Sequence, residues 1–111
     1  VQVKGSLERF RDFIYIDDVV EAWWQAAFRP EAEGQAINVG TGRRTTVEAL
    51  LEAMRSHVPG MAWFVEGSTP GDPSGMYADV RQLGERLGLT RFVPLSEGLG
   101  RFLAWARTLP V

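Results

Sequence analysis

The sequence predicts an α/β fold, with about four helices interleaved with three or four short strands in a single domain over residues 1–111. Three observations predict it. Apolar residues recur at helical spacing behind capping or proline start signals. Short β-rich runs stand between those stretches, and glycine or proline punctuates most of the joins.

Taken in order, residues 1–4 (VQVK) and 11–16 (RDFIYI) have strand patterns separated by a polar Gly-Ser turn. Asp18 and Glu21 then stand at capping-box spacing, and Val19, Val20, Trp23, Ala26 and Ala27 form a broad apolar stripe. Arg29-Pro30 and Gly34 mark the end of that helix. Residues 35–39 (QAINV) read as a short strand leading into the turn Gly40-Thr41-Gly42. Thr45 and Glu48 make a second capping box, ahead of a helix face of Val47, Leu50, Leu51 and Met54. Pro59-Gly60 closes this helix, and Ala62–Val65 is a further strand. Residues 66–76 (EGSTPGDPSGM) form a long loop, of a kind more often functional or mobile than merely connecting. Asp79 and Gln82 cap a third helix that carries Val80, Leu83 and Leu87 to a stop at Gly88. Pro94 opens the last helix, whose buried face is Leu95, Leu99, Phe102, Leu103 and Ala106.

Composition excludes several functions. With no cysteine there is no disulfide, thiolate metal site or cysteine nucleophile. A net charge of −2 gives no electrostatic reason to expect nucleic acid or an anionic membrane. No apolar run approaches the ~18 residues that span a bilayer. The single His57 has no second imidazole with which to share a metal, and reads as a solvated helix-end residue. Eleven of the twelve basic residues are Arg, the better bidentate partner for phosphate. The chain begins at Val1 and not Met, so a preceding segment is expected.

Two stretches invite a functional reading. Ile37–Val47 has the strand, glycine turn and helix start of a phosphate-cradling loop. It departs from the dinucleotide fingerprint, with Thr45 in place of the last glycine and no acid at a strand end ~20 residues on; no Walker lysine follows either. A tight turn feeding a capped helix is therefore the favoured reading. The second stretch is Arg9–Val20, an amphipathic strand running into a helix. Read alone, Arg11 pairs with Asp12 or another surface acid, and Asp18 is an N-cap. Asp17 and Asp18 are adjacent and point apart, so they make a poor acid–base pair.

R-D-F-I-Y-I-D-D-V-V-E-A, then G-Q-A-I-N-V-G-T-G-R, T-P-G-D, Y-A-D and the terminal E-G-L…L-A-W-A-R helix follow one another in register. Together they resemble the C-terminal part of the extended short-chain dehydrogenase/reductases, the NAD-dependent nucleotide-sugar epimerases and dehydratases. The resemblance covers essentially all 111 residues. It implies a small C-terminal portion of a Rossmann-type enzyme, lacking the N-terminal domain that carries the cofactor loop and the catalytic Tyr and Lys. Neither Tyr15 nor Tyr77 has a Lys four residues on, and the only lysine is Lys4. No catalytic or cofactor-binding residue is thus expected here; NAD belongs to the full-length enzyme and is not bound by this chain alone.

By the same resemblance, Arg11 corresponds to an arginine on the nucleotide pyrophosphate, and Asp72 to an acid near the ribose. Gly-Asp-Pro is also ordinary turn chemistry, so Asp72 has a plain structural reading as well. Many members carry a second phosphate arginine where this chain has Thr69. The clamp is then weaker, or another group such as Arg9 completes it. The implied function is the UDP- or dTDP-sugar-binding portion of a cytoplasmic, UDP-glucose 4-epimerase-like enzyme, not catalytic by itself. The alternatives are a free-standing nucleotide-binding or self-associating module, and part of a 4,6-dehydratase. In the family the strand matching 35–39 joins the Rossmann sheet and the helix bearing Trp23 and Trp24 packs on it. Without that sheet, a homodimer through residues 19–40 is expected.

Overall fold

The computed structural model describes residues 1–110. Among the described residues there are four α-helices, α1 Ile16–Phe28, α2 Val47–His57, α3 Arg81–Leu87 and α4 Leu95–Ala106, and a short 3-10 turn at Pro30–Ala32. The four strands have two residues each: β1 Gln2–Val3, β2 Phe10–Arg11, β3 Thr45–Thr46 and β4 Phe64–Val65. β1 pairs parallel with β4, and β2 pairs antiparallel with β3 in the register Phe10↔Thr46, Arg11↔Thr45. A single parallel bridge from Phe10 to Gly75 brings the long loop against the other side of β2.

Helix α1 packs on α3, and α2 on α4. Ala22, Leu83 and Leu87 form the buried centre, and Ile37, Val39, Val80 and Phe92 pack around it. Burying each leucine contributes about 2 kcal/mol. Gly88 ends α3 at φ +70°, and its N–H reaches the Gly84 carbonyl at 2.9 Å. That is the left-handed stop a glycine allows without strain.

Several boundaries differ from the sequence reading. The run 11–16 is a strand only at Arg11, because β3 is two residues long and the ladder ends with it. α1 starts at Ile16 with Tyr15 as N-cap, so Asp18 lies inside the first turn. Its carboxylate accepts from the Val93 N–H at 2.9 Å, and Glu21 accepts from Gln25 in place of closing a box. α2 is capped by Thr46, whose hydroxyl accepts from Ala49 N–H at 3.0 Å, so the box at Thr45 and Glu48 does not form. Thr45 is occupied in the β2–β3 ladder. Asp79 sits one residue ahead of the α3 N-cap and accepts from Arg81 N–H at 3.0 Å. Gln82 accepts from Arg86.

Residues 35–39 join no ladder. Among the described residues, none of the N–H groups of 36–40 donates to a main-chain carbonyl. A strand is defined by its neighbour, and these residues lack one here. The α4 face is also shallower than expected: Phe102 is 47% exposed, and the buried position is Gly98, beneath Tyr15. On α1 the apolar stripe faces outward, with Trp23 70% and Phe28 68% exposed.

Candidate functional site

The site is built where β2 meets the 66–76 loop. Thr69-Pro70-Gly71-Asp72 is a turn closed by Asp72 N–H to the Thr69 carbonyl at 3.2 Å, with Gly71 at φ +80°. Proline second and a positive-φ glycine third is the sequence that a type II turn requires. The turn delivers the Asp72 carboxylate to two arginines of the β2 region. Arg9 Nη1 donates to Asp72 Oδ2, and Arg11 Nη2 donates to Oδ1 at 2.6 Å. The three side chains are 19%, 31% and 20% exposed in the order Arg9, Arg11, Asp72. Half-burial of this kind strengthens each pair over a fully solvated one.

Both guanidiniums are oriented by the backbone as well. Arg11 Nη1 donates to the Phe10 carbonyl at 2.8 Å, and Arg9 Nε donates to the Ser6 carbonyl at 3.0 Å. The Arg9 head lies against Gly5, where an added Cβ would stand 3.1 Å from its Cζ. Two guanidiniums against one carboxylate leave a surplus positive charge, fixed in place. Such a cluster suits an anion with several oxygens, a phosphate or pyrophosphate above all.

Both residues expected from the sequence, Arg11 and Asp72, are thus brought together. Arg9 joins them. Arg11 does not pair with Asp12, because neighbours on a strand point to opposite faces. Asp12 faces the glycine turn instead. Its carboxylate accepts from Thr41 N–H at 3.0 Å, Gly42 N–H at 2.8 Å, Ala78 N–H at 3.2 Å and the Thr41 hydroxyl. Burial pushes the Asp12 carboxyl pKa up, but those four donors outweigh it and hold the group below the usual carboxylate range. Gly40 has no room for a side chain; a Cβ there would lie 2.6 Å from Ala78 Cβ and 2.7 Å from Asp12 Oδ2. The anion the turn cradles is therefore the chain's own. That role for Asp12 was missed in the sequence, although the strand alternation that separates it from Arg11 was available to find it.

His57 is half-buried between α2 and α4, not solvated. Its Nε2 lies 2.8 Å from the Ser96 carbonyl, a contact in which the ring N–H donates. Among the described residues no group of three or more His, Asp or Glu side chains could hold a metal ion. None of the described helices is long and apolar enough to cross a membrane.

A model of the NAD dependent epimerase/dehydratase family matches residues 1–40. A UDP-glucose 4-epimerase from Thermotoga maritima, solved with UDP-glucose, superimposes on 96% of this chain at a TM-score of 0.88 and 30% identity. The chain is thus similar to NAD-dependent epimerases and dehydratases over nearly all of its length, and residues 1–40 match that family's model. Among curated proteins of known sequence, a UDP-glucose 4-epimerase of Mycolicibacterium smegmatis is 34% identical over 96% of this chain. A dTDP-4-dehydro-6-deoxyglucose reductase of Escherichia coli is 25% identical over 93%. The match takes in 34% of the Thermotoga chain, 34% of the Mycolicibacterium protein and 33% of the Escherichia protein. The chain therefore spans about a third of the length of the relatives it matches.

Similarity to an NAD-dependent family raises the question of whether these residues fit the cofactor. They do not at the glycine turn, since the Asp12 carboxylate takes the donors a pyrophosphate would need. A second carboxylate or phosphate brought there would meet an existing negative charge.

Proposed function

We propose that this chain is the nucleotide-sugar-binding portion of an NAD-dependent, UDP-glucose 4-epimerase-like enzyme of the cytoplasm, and that it does not catalyse by itself. The observation that carries the reading is the convergence of Arg9 and Arg11 on Asp72. In this reading the nucleotide pyrophosphate takes the guanidinium donors, and the Asp72 carboxylate turns to the ribose hydroxyls. Arg9 supplies the second cation that Thr69 does not. The anchored nucleotide positions the sugar without entering the reaction, and firm binding at one end leaves the other end free to turn. NAD is held elsewhere in the full-length enzyme.

Titration with UDP and with UDP-glucose tests this. Both are expected to bind, and Arg11→Ala to weaken them at least tenfold, about 1.4 kcal/mol. NAD is expected not to bind. UDP binding indifferent to Arg11→Ala would sink the reading.

Self-association is proposed alongside it, on a separate observation. Val20, Trp23, Trp24 and Phe28 expose a contiguous apolar face on α1, and residues 36–39 hold unpaired main-chain groups beside it in sequence. A dimer through residues 19–40 covers both. Light scattering across a concentration series checks it; a monomer at every concentration would count against the dimer.

A further inference from the structure

We infer that a cleft between the glycine turn and the 90–95 loop is a second anion site, for an organic phosphate with an apolar body. The cleft has a volume of about 490 Å³ and carries Arg43 and Arg44 on one wall and Arg91 on the other. That is within the size range of small-molecule sites. Among the described residues, none of these three arginines pairs with a carboxylate, whereas Arg9, Arg11, Arg55, Arg81 and Arg101 all do. Arg43 and Arg91 have no carboxylate partner, so their charge favours an anion in the cleft, opposed in part by the Asp12 carboxylate hydrogen-bonded at Thr41.

Both walls are held in place by internal carboxylates. Asp12 fixes Thr41 and Gly42, immediately before Arg43, and Asp18 fixes the Val93 N–H, two residues after Arg91. Arg44 is held further, with its Cζ 5.2 Å from the Phe10 ring centre and 4.6 Å from that of Tyr77. It therefore serves as fixed positive charge, while Arg43 and Arg91 supply the hydrogen-bonding forks.

The apolar half of the ligand follows from the neighbouring cavity. A space of about 270 Å³ shares Phe13, Val93, Pro94 and Leu95 with the cleft and runs on to Leu50 and Leu99. The two spaces adjoin along those four shared residues. A phosphate seated on Arg43 and Arg91 would place an attached ring or chain against Phe13 and into this cavity. None of these residues is Arg9, Arg11 or Asp72, so the site does not depend on the UDP reading.

The test is a pair of NMR titrations of the 111-residue chain, with phenyl phosphate and with inorganic phosphate. Phenyl phosphate is expected to shift the amides of Thr90, Phe92 and Arg43, and to bind about tenfold tighter than inorganic phosphate. Combined Arg43→Gln and Arg91→Gln should weaken it at least ~tenfold, whereas Arg11→Gln should leave it unchanged. These arginines are exposed, and circular dichroism of the double variant checks that its fold is retained. Shifts confined to Arg11 and Asp72, binding retained in the double variant, or no binding of phenyl phosphate at ~10 mM would each overturn the site. Equal affinity for the two probes would overturn the apolar half.

Discussion

Two turns in this molecule carry glycines and both read as places to hold an anion, yet they do opposite things. The turn at Gly40–Gly42 presents its N–H groups to Asp12 and is saturated from within. The turn at Thr69–Asp72 contributes a carboxylate to two arginines and leaves positive charge unspent. The difference lies in what fills each turn, since the backbone of either could receive a ligand. A phosphate-shaped loop is evidence for a ligand only after the chain's own carboxylates have been placed. By that measure the first turn is filled from within, and the second is the one proposed for binding.

The largest expected effects come from breaking the first turn. Asp12→Ala leaves the Thr41, Gly42 and Ala78 N–H groups without their acceptor, at a cost of about 3 kcal/mol. Gly40→Ala should cost a similar amount by forcing Ala78 and Asp12 apart. Urea unfolding reads both as lowered midpoints. Asp12 also makes stability depend on pH. Its folded pKa lies below the usual value, so as pH falls the unfolded chain takes the proton first. The stabilisation is complete above about pH 5 and is lost as pH falls through the folded pKa. Asp12→Asn should flatten the acid limb of a stability-against-pH curve; an unchanged limb would mean that another carboxylate controls it.

Breaking the second turn should leave the fold nearly alone and alter binding instead. Asp72→Asn removes two partly exposed ion pairs, worth under about 1 kcal/mol of stability. It also releases both guanidiniums. Inorganic pyrophosphate should then bind more tightly than to the parent chain, while UDP loses an acceptor for its ribose and gains less. Calorimetry on the two ligands gives the ratio. If both ligands gained equally, Asp72 would be a counter-ion and nothing more.

How much of this was legible follows from range in sequence. The helices were legible because 3.6-residue periodicity is local, and Leu83, Leu87 and the Gly88 stop stand where the pattern puts them. The strands were legible in part: the runs 1–4 and 62–65 contain β1 and β4, but their pairing, Val3 with Val65 and 62 residues apart, is not local, and the run 35–39 has no partner among the described residues. Arg11 and Asp72 were singled out through motif resemblance. Their meeting, 61 residues apart in sequence, required the fold. Asp12 was misread because its partners lie 29 to 66 residues away, and a nearer arginine offered a simpler pairing.

The smallest prediction separates two threonines on the path out of the first turn. Thr45 and Thr46 are adjacent, and either could start α2 by composition. In the structure Thr46 Oγ1 accepts from Ala49 N–H, while Thr45 faces Arg11 across the β2–β3 ladder. Thr46→Ala therefore removes a cap, at about 1 kcal/mol, and Thr45→Ala should cost less than about 0.5 kcal/mol. Thermal unfolding of the two variants ranks them. The reverse order would restore the box with Glu48 and move the helix start back by one residue. That would shorten the segment after Gly42, pull Arg43 and Arg44 toward the helix, and change the wall of the cleft they line.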